Sequence, residues 1–347
     1  MRILHLLQSN RFSGAENVVC QIIEMMNDNP NIEMIYCSRD GQIRDALLER
    51  DVKFVPIKDL TKSEVKRVIF EYKPDIIHAH DMRASFIASL ASKKVPIVSH
   101  IHNNNFDSRG LSLKSIAYIY AGMKAKHIFW VSDSSYNGYY FHKLFKNKSE
   151  VLYNIISIDN LYSKMALDKK VYDYDIVYLG RLTAPKNPIR LMKIFKLLVN
   201  EMPDIKIAVI GTGELDDSIR KEAERLELTS NVKFLGFQSN PYKMLHDSKL
   251  MIMTSLWEGT PMCVLEAMSL GVPVVSTPTD GVKIVVHDGV TGFLGETDEN
   301  IVDSCKVLLK DAYVRDKMAN ASKKRARELM DIELYKNKIL NVYNNAR

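Results

Sequence analysis

At 347 residues, with 46% hydrophobic and 26% charged side chains, the chain carries enough apolar surface to exclude disorder and too much length for a single core, so two domains are expected. Its 48 Lys and Arg against 42 Asp and Glu leave a net charge of +6, without the density or aromatic interleaving that nucleic acid demands, so no nucleic-acid partner is expected. Four cysteines, Cys20, Cys37, Cys263 and Cys305, have no C-x-x-C pair and no histidine at zinc spacing, which argues against a disulfide framework or structural metal and for a reducing compartment. The first nine residues are too polar for a signal peptide, and no apolar run approaches the ~18–20 residues of a membrane span. A soluble cytoplasmic protein is expected.

Short β-rich runs alternate with helical patterns. Strands are predicted at Arg2–Gln8, Glu33–Cys37, Lys53–Ile57, Asp75–Ala79, Pro96–Ile101, His127–Ser132 and Glu150–Tyr153. Ala15–Asn27 places Val18, Val19, Ile22, Ile23 and Met26 on one helical face, with Ser13 and Glu16 at the spacing of a capping box. Residues Ser157–Asp173, rich in Ser, Asp, Asn and Lys, read as a linker. The rhythm then restarts with strands at Asp175–Leu179, Ile205–Ile210, Val232–Leu235, Leu250–Thr254 and Val274–Ser276, and helices from about Pro188, Glu214, Pro241 and Pro261. The tail from Asp298 is helical and ends in an amphipathic segment, Ile332–Tyr343, read through Leu334, Ile339, Leu340 and Tyr343. The fold class is α/β, two doubly wound parallel sheets in tandem.

Ligands of open α/β sheets collect where strands end, and five such places stand out. Ser13-Gly14-Ala15-Glu16 opens a helix with a glycine over which a ligand can reach backbone amides, or is a plain strand–helix turn. Gly180-Arg181 through Lys186-Asn187-Pro188 brings two cations to one loop, which suits a diphosphate, or solvates them. Gly211-Thr212-Gly213 is a weak nucleotide sign, because Asp216 stands where a dinucleotide fingerprint needs its third glycine. In Trp257-Glu258-Gly259-Thr260-Pro261-Met262-Cys263-Val264-Leu265-Glu266, Pro261 starts a helix flanked by two carboxylates, which suit the paired hydroxyls of sugar and ribose. His100-Ile101-His102-Asn103 leaves a strand with both imidazoles on one side; a two-histidine metal site there lacks a third ligand at suitable spacing. Between Arg109 and Lys148 seven basic residues face a single acid, Asp133. That stretch is either a set of solvated helix faces or an attraction to an anionic membrane or phosphate-bearing acceptor.

With these motifs in this order, the chain resembles the retaining GT-B glycosyltransferases with an E-x7-E motif (group 1, family 4), in their capsular and exopolysaccharide branch. The resemblance rests on Glu258 to Glu266 within Ser255–Pro261 and Glu266-Ala267-Met268, on Gly271-Val272-Pro273, on the Arg181/Lys186 loop, and on Asp288-Gly289-Val290-Thr291-Gly292-Phe293. It departs at Asn154-Ile155-Ile156, where relatives carry Asn-Gly, and at Lys283, where many carry Glu. The family implies two Rossmann-like domains facing across a cleft: an acceptor domain over residues 1–165 completed by a returning helix at 331–347, and a donor domain over 166–330. Arg181 and Lys186 would hold the diphosphate of a nucleotide sugar, helped by backbone at Gly14 and at Val264–Leu265. Glu266 would bind the ribose, Glu258 a sugar hydroxyl, and amides from Gly259 to Cys263 would line the sugar pocket. His102 matches the family's active-site histidine, with His100 and Asn103 as further acceptor-side candidates.

The implied reaction moves a hexosyl or N-acetylhexosaminyl group from a nucleotide sugar, a UDP-sugar first, to a saccharide or lipid-linked acceptor at the inner membrane face. No acid pair of the D-x-D kind ends a strand, so no metal or other cofactor is expected. A nicotinamide-dependent oxidoreductase on tandem Rossmann domains lacks its G-x-G-x-x-G, and a non-catalytic assembly partner would not need the paired glutamates.

Overall fold

A computed structural model describes residues 1–102 and 106–347, and the chain divides into two compact units, Met1–Ile155 with Ile332–Arg347, and Ile156–Asp331. The first unit contains strands β1 (Arg2–Leu6), β2 (Glu33–Arg39), β3 (Phe54–Ile57), β4 (Ile76–His80), β5 (Ile97–Ile101), β6 (His127–Trp130) and β7 (Ser149–Val151) in the order β3-β2-β1-β4-β5-β6-β7. Every pairing is parallel, so each connection crosses a face of the sheet. The crossings are made by α1 (Gly14–Met26), α2 (Ile43–Leu48), α3 (Lys62–Tyr72), α4 (Asp81–Ala91), α5 (Leu113–Lys124) and α6 (Asp133–Gly138). Strand order turns back between β1 and β4, which makes their carboxyl ends a natural place for a ligand.

The second unit repeats the plan with β8 (Ile176–Leu179), β9 (Ile207–Ile210), β10 (Val232–Gly236), β11 (Leu250–Met253), β12 (Val274–Ser276) and β13 (Gly292–Leu294), ordered β10-β9-β8-β11-β12-β13 and parallel throughout. Its helices are α7 (Ile158–Leu167), α8 (Pro188–Glu201), α9 (Asp216–Arg225), α10 (Tyr242–Asp247), α11 (Met262–Leu270), α12 (Asp280–Val285), α13 (Asp298–Lys310) and α14 (Ala312–Leu329). The core sets Leu191, Ile194, Phe195 and Leu198 of α8 with Ile176, Tyr178, Ile207 and Val209 of the sheet. Here the order turns back between β8 and β11.

The structure corrects four local readings. Ser157–Asp173 is not a linker. Ser157 caps α7 by accepting from the Asn160 N–H (3.3 Å), Tyr162 Oη donates to Ser269 O (3.1 Å), and Asn240 Nδ2 donates to Lys164 O (2.7 Å). The polar residues that interrupt the strand rhythm are caps and anchors, so the second unit begins at Ile156 rather than after residue 165. The Ser13 side chain makes no hydrogen bond to the backbone of α1 and donates instead to the Glu16 carboxylate. Pro261 is the residue before α11 rather than its first. The final helix, α15 (Ile332–Ala346), buries Tyr335, Ile339 and Tyr343, while Leu334 is 54% exposed. The packed stripe thus runs at i, i+4, i+8 from 335: Ile339 and Tyr343 pack as the sequence pattern expects, and Tyr335 takes the place read for Leu334.

Candidate active site

At the turning point of the second sheet, the segments leaving β8 and β11 carry the predicted cations and carboxylates. They are joined by backbone: Leu256 N–H donates to Pro185 O (2.8 Å), and Thr254 Oγ1 to the carbonyls of Lys186 and Asn187. Asn187 is left-handed (φ 49°), a conformation asparagine tolerates, and leads directly into Pro188 at the start of α8. On the other side, β9 ends in Gly211-Thr212-Gly213, laid against the β8 loop through Leu182 N–H to Thr212 O (3.0 Å) and Leu215 N–H to Leu182 O (2.9 Å). A Cβ on Gly211 would stand 1.9 Å from Gly180 O, and one on Gly213 2.3 Å from Leu182 O. The two glycines are therefore required by the approach of the neighbouring loop.

Lys186 and Glu258 form an ion pair with side chains only 16% and 9% exposed, and Ser255 Oγ donates to the same Glu258 oxygen (2.6 Å). The loop holding Glu258 is pressed against α12: a Cβ on Gly281 would fall 1.4 Å from Gly259 O. Glu266 is buried in the second turn of α11, where Tyr242 Oη reaches it at 3.4 Å. Cys263 reports how close these groups are. Burial pushes its thiol up to about 12; the Lys186 ammonium pulls it down, and Glu258 and Glu266 raise it. Tyr178 reports on Arg181 in the same way: burial raises its phenol well above the usual range, Cys263 and Glu258 add to that, and Arg181 opposes it. Tyr178 Oη also donates to Arg181 O (2.9 Å).

Thr260 and Pro261 are buried at the start of α11, whose first-turn amides, at Met262 and Cys263, face no acceptor within the helix. The amides of Val264 and Leu265, expected to grip a diphosphate, both donate to Pro261 O (3.1 and 3.3 Å). The positive end of this helix therefore lies at Gly259–Cys263, next to the Lys186–Glu258 pair. Lys186, Glu258 and Glu266 thus surround Cys263 at the carboxyl ends of the central strands β8 and β11, with Arg181 on the same β8 loop beside Tyr178, an arrangement suited to a diphosphate beside a polyhydroxylated ring.

In the first unit, Gly14 opens α1 with nothing within 4 Å of the place its Cβ would occupy. Asn103 lies outside the described residues. His102 is buried at the carboxyl end of β5; its backbone N–H donates to Asp81 Oδ1 (2.9 Å), and its Nε2 meets His80 Nδ1 at 2.8 Å. Asp81, the first residue of α4, stands at φ 68° directly after β4, a strained backbone of the kind that gathers at functional sites. Burial lowers the His102 pKa and Asp81 opposes the shift.

The further imidazoles that sequence spacing does not supply come from sheet register. β4 brings His80 beside His100, and β1 brings His5 beside His78, so five buried imidazoles stack across three strands. His5, His78 and His80 pass unmarked in a sequence whose strands at 2–8 and 75–79 read as apolar runs. The H-x-H repeats at 78–80 and 100–102 are the available signal.

Most of the basic stretch at 109–148 faces outward, with Lys124, Lys126, Lys143 and Lys146 exposed. Lys148 does not share that role, since its ammonium donates to the carbonyls of Met123 (3.1 Å) and Ala125 (2.9 Å) at the end of α5. Beside the exposed lysines, α5 turns Leu113, Ile116, Tyr120 and Met123 outward, 88%, 49%, 42% and 70% exposed. No described helix is long and apolar enough to cross a membrane.

Two family models match the chain in tandem, Glycosyltransferase Family 4 over residues 12–160 and Glycosyl transferases group 1 over residues 163–325. An uncharacterized glycosyltransferase of Methanocaldococcus jannaschii is 32% identical over 244 residues, 64% of this chain and 60% of that protein. The poly(glycerol-phosphate) alpha-glucosyltransferase of Bacillus subtilis is 26% identical over 86% of this chain and 45% of its own length. The chain thus spans about half the length of these two relatives. The UDP-Gal:alpha-D-GlcNAc-diphosphoundecaprenol alpha-1,3-galactosyltransferase of Escherichia coli is 26% identical over 99% of this chain and 93% of its own. Among solved structures, Anabaena HepE in complex with UDP and glucose superposes with a TM-score of 0.86 at 21% identity, covering 99% of this chain and all of that one. The two parallel-sheet units are those of the GT-B fold.

Proposed function

We propose that the chain, which belongs to the glycosyltransferases of group 1 and family 4, moves a sugar from a UDP-sugar to a saccharide or lipid-linked saccharide with retention of anomeric configuration, in building a cell-surface polysaccharide. The observation that carries this reading is the Lys186–Glu258 pair at the positive end of α11, with Glu266 one turn further on. Solved and curated relatives that take UDP or a UDP-sugar support the donor base.

In this mechanism the bond between the anomeric carbon and the β-phosphate oxygen breaks, and negative charge builds on the leaving diphosphate. Arg181, Lys186 and the first-turn amides of α11 stabilise that charge, a contribution that commonly dominates such reactions. Glu266 accepts from the ribose hydroxyls and Glu258 from a hydroxyl of the sugar. The acceptor oxygen bonds the anomeric carbon from the face the phosphate leaves, and its proton passes to that phosphate, which gives retention. His102 is the active-site histidine of the first unit. Two side-chain cations and a helix terminus supply the charge for which other transferases use a divalent ion, so transfer proceeds without one. The exposed apolar stripe of α5, flanked by lysines, rests on an anionic membrane surface, where a lipid-linked acceptor would be found.

The test is thermal stabilisation by a panel of UDP-, GDP- and ADP-sugars with NAD as control and EDTA throughout, followed by NMR of the product's anomeric proton. A shift with UDP-sugars and an axial-to-axial outcome are expected. A shift with NAD alone would overturn the transferase reading, and an inverted product would overturn the mechanism.

A further inference from the structure

Three buried histidines of the first unit, His5, His78 and His80, take no part in the transfer proposed above. β1 and β4 are parallel neighbours in a register that pairs His5 with His78. His78 and His80, two residues apart on one strand, point to the same face of the sheet. The three imidazoles stand together, with ring centroids 4.4 to 5.3 Å apart, and one nitrogen from each lies within 4.8 Å of the others.

The hydrogen-bond inventory of this cluster does not close. A neutral imidazole offers one donor and one acceptor. His78 Nδ1 meets Tyr343 Oη at 2.7 Å, His80 Nδ1 meets His102 Nε2 at 2.8 Å, and His80 Nε2 meets His5 Nδ1 at 3.0 Å. That leaves His78 Nε2 and His5 Nε2 buried without a partner. Each such orphan costs about 1–3 kcal/mol, and β4 is buried from end to end.

We propose that His5, His78 and His80 bind a divalent d-block ion of the Zn2+ class. Three neutral imidazoles, two from an H-x-H on one strand and one from its neighbour, are a sufficient protein donor set for such an ion, with a fourth position left for a small ligand. Nitrogens bound tetrahedrally at about 2.0–2.1 Å stand about 3.3 Å apart, so the cluster contracts by at most about 1.5 Å to close on the ion.

Outer partners are in place for His78 and His80, while His5 Nε2 has none. Metal-bound histidines donate their second N–H to a fixed acceptor, which sets the tautomer. Here Nδ1 of His78 is held by Tyr343 and Nδ1 of His80 by His102, which frees Nε2 of both for the ion, together with Nδ1 of His5. The ion fastens β1 to β4 and, through Tyr343, to α15. It also fixes His80 as the donor to His102 Nε2, which leaves the proton of His102 on Nδ1.

The experiment is elemental analysis and native mass spectrometry of protein from cells grown with added Zn2+, repeated with Co2+ for its visible ligand-field absorption. One ion per chain is expected, retained through brief dialysis against EDTA because the site is enclosed, with the strong absorption of a four-coordinate Co2+ centre. His5→Val, a residue suited to a strand interior, and His78→Phe should reduce the content to background. His246→Ala, at an exposed histidine, should leave it unchanged. Metal-free protein from supplemented cells, the weak spectrum of octahedral Co2+, or undiminished content in a folded His5→Val would overturn the proposal. Should neither variant fold, the stoichiometry and spectrum of the unaltered protein decide. Because metal content is read directly, this test stands or falls apart from the transferase assay.

Discussion

Replacing Lys186 with methionine keeps most of the side chain's length and removes its charge. Glu258 would then be left 9% exposed with Ser255 Oγ as its remaining side-chain donor. Breaking a buried pair from one side costs about 3–5 kcal/mol, and the retained serine bond argues for the lower end, about 3 kcal/mol. For a unit of this size that lowers Tm by about 6–12 °C. If Lys186 also stabilises the leaving diphosphate, turnover falls by about 10²–10³-fold, or ~2.7–4 kcal/mol of transition-state stabilisation. The two effects separate in the double variant Lys186→Met/Glu258→Gln. With both charges gone the desolvation penalty disappears, so scanning calorimetry should show most of the lost Tm restored, while steady-state release of UDP stays at the level of the worse single variant. Turnover that recovers together with Tm would make the pair a structural clip, and near-normal turnover in Lys186→Met alone would remove it from the chemistry.

Gly281→Ala drives a Cβ into Gly259 O at 1.4 Å, so the Glu258 loop must shift; calorimetric titration should show donor affinity down at least ~10-fold, against an unchanged Kd if the loop is irrelevant. The Cys263 thiol, half-buried and pushed up to about 12, stays protonated at pH 8, so iodoacetamide should label it more slowly in folded than in unfolded protein; equally fast labelling of both would contradict its surroundings. Substituting Ser for Lys124, Lys126, Lys143 and Lys146, or Asp for Leu113 and Met123, should reduce sedimentation with phosphatidylserine vesicles, and unaltered sedimentation would dismiss α5 as the membrane face.

What the sequence made legible follows its periodicities. Alternating apolar runs and helical stripes suffice to show two parallel sheets, because a parallel strand covered on both faces leaves a near-continuous hydrophobic signature. β13 escapes notice because three residues at a sheet edge are too few to carry a pattern. Arg181, Lys186, Glu258 and Glu266 could be marked as candidates since each sits near a strand end or helix start, positions recoverable from local sequence. Their pairing could not, because the contact of Lys186 with Glu258 joins segments 72 residues apart through the order of strands in the sheet.

The glycines and histidines divide on the same ground. Gly211 and Gly213 look like a phosphate loop, yet both face the carbonyls of the β8 loop at distances no side chain tolerates. Their glycine identity therefore follows from packing and is silent about a nucleotide. The histidines present the opposite case. β1 holds one of them, β4 two, and β5 one with His102 just past its end, and mostly apolar strands usually tolerate such residues when a neighbour satisfies them. Only lateral register turns them into a single array. His5, His80 and His102 bond in a chain, His78 bonds Tyr343, and His100 bonds nothing, so a polar core of this size demands something further to hold it. Mutating any one member to an aliphatic residue therefore removes a desolvated polar group along with a contact. The stability change in His5→Val consequently separates the alternatives: a loss exceeding that in His100→Val identifies His5 as anchored, and a gain identifies it as an unpaid buried dipole.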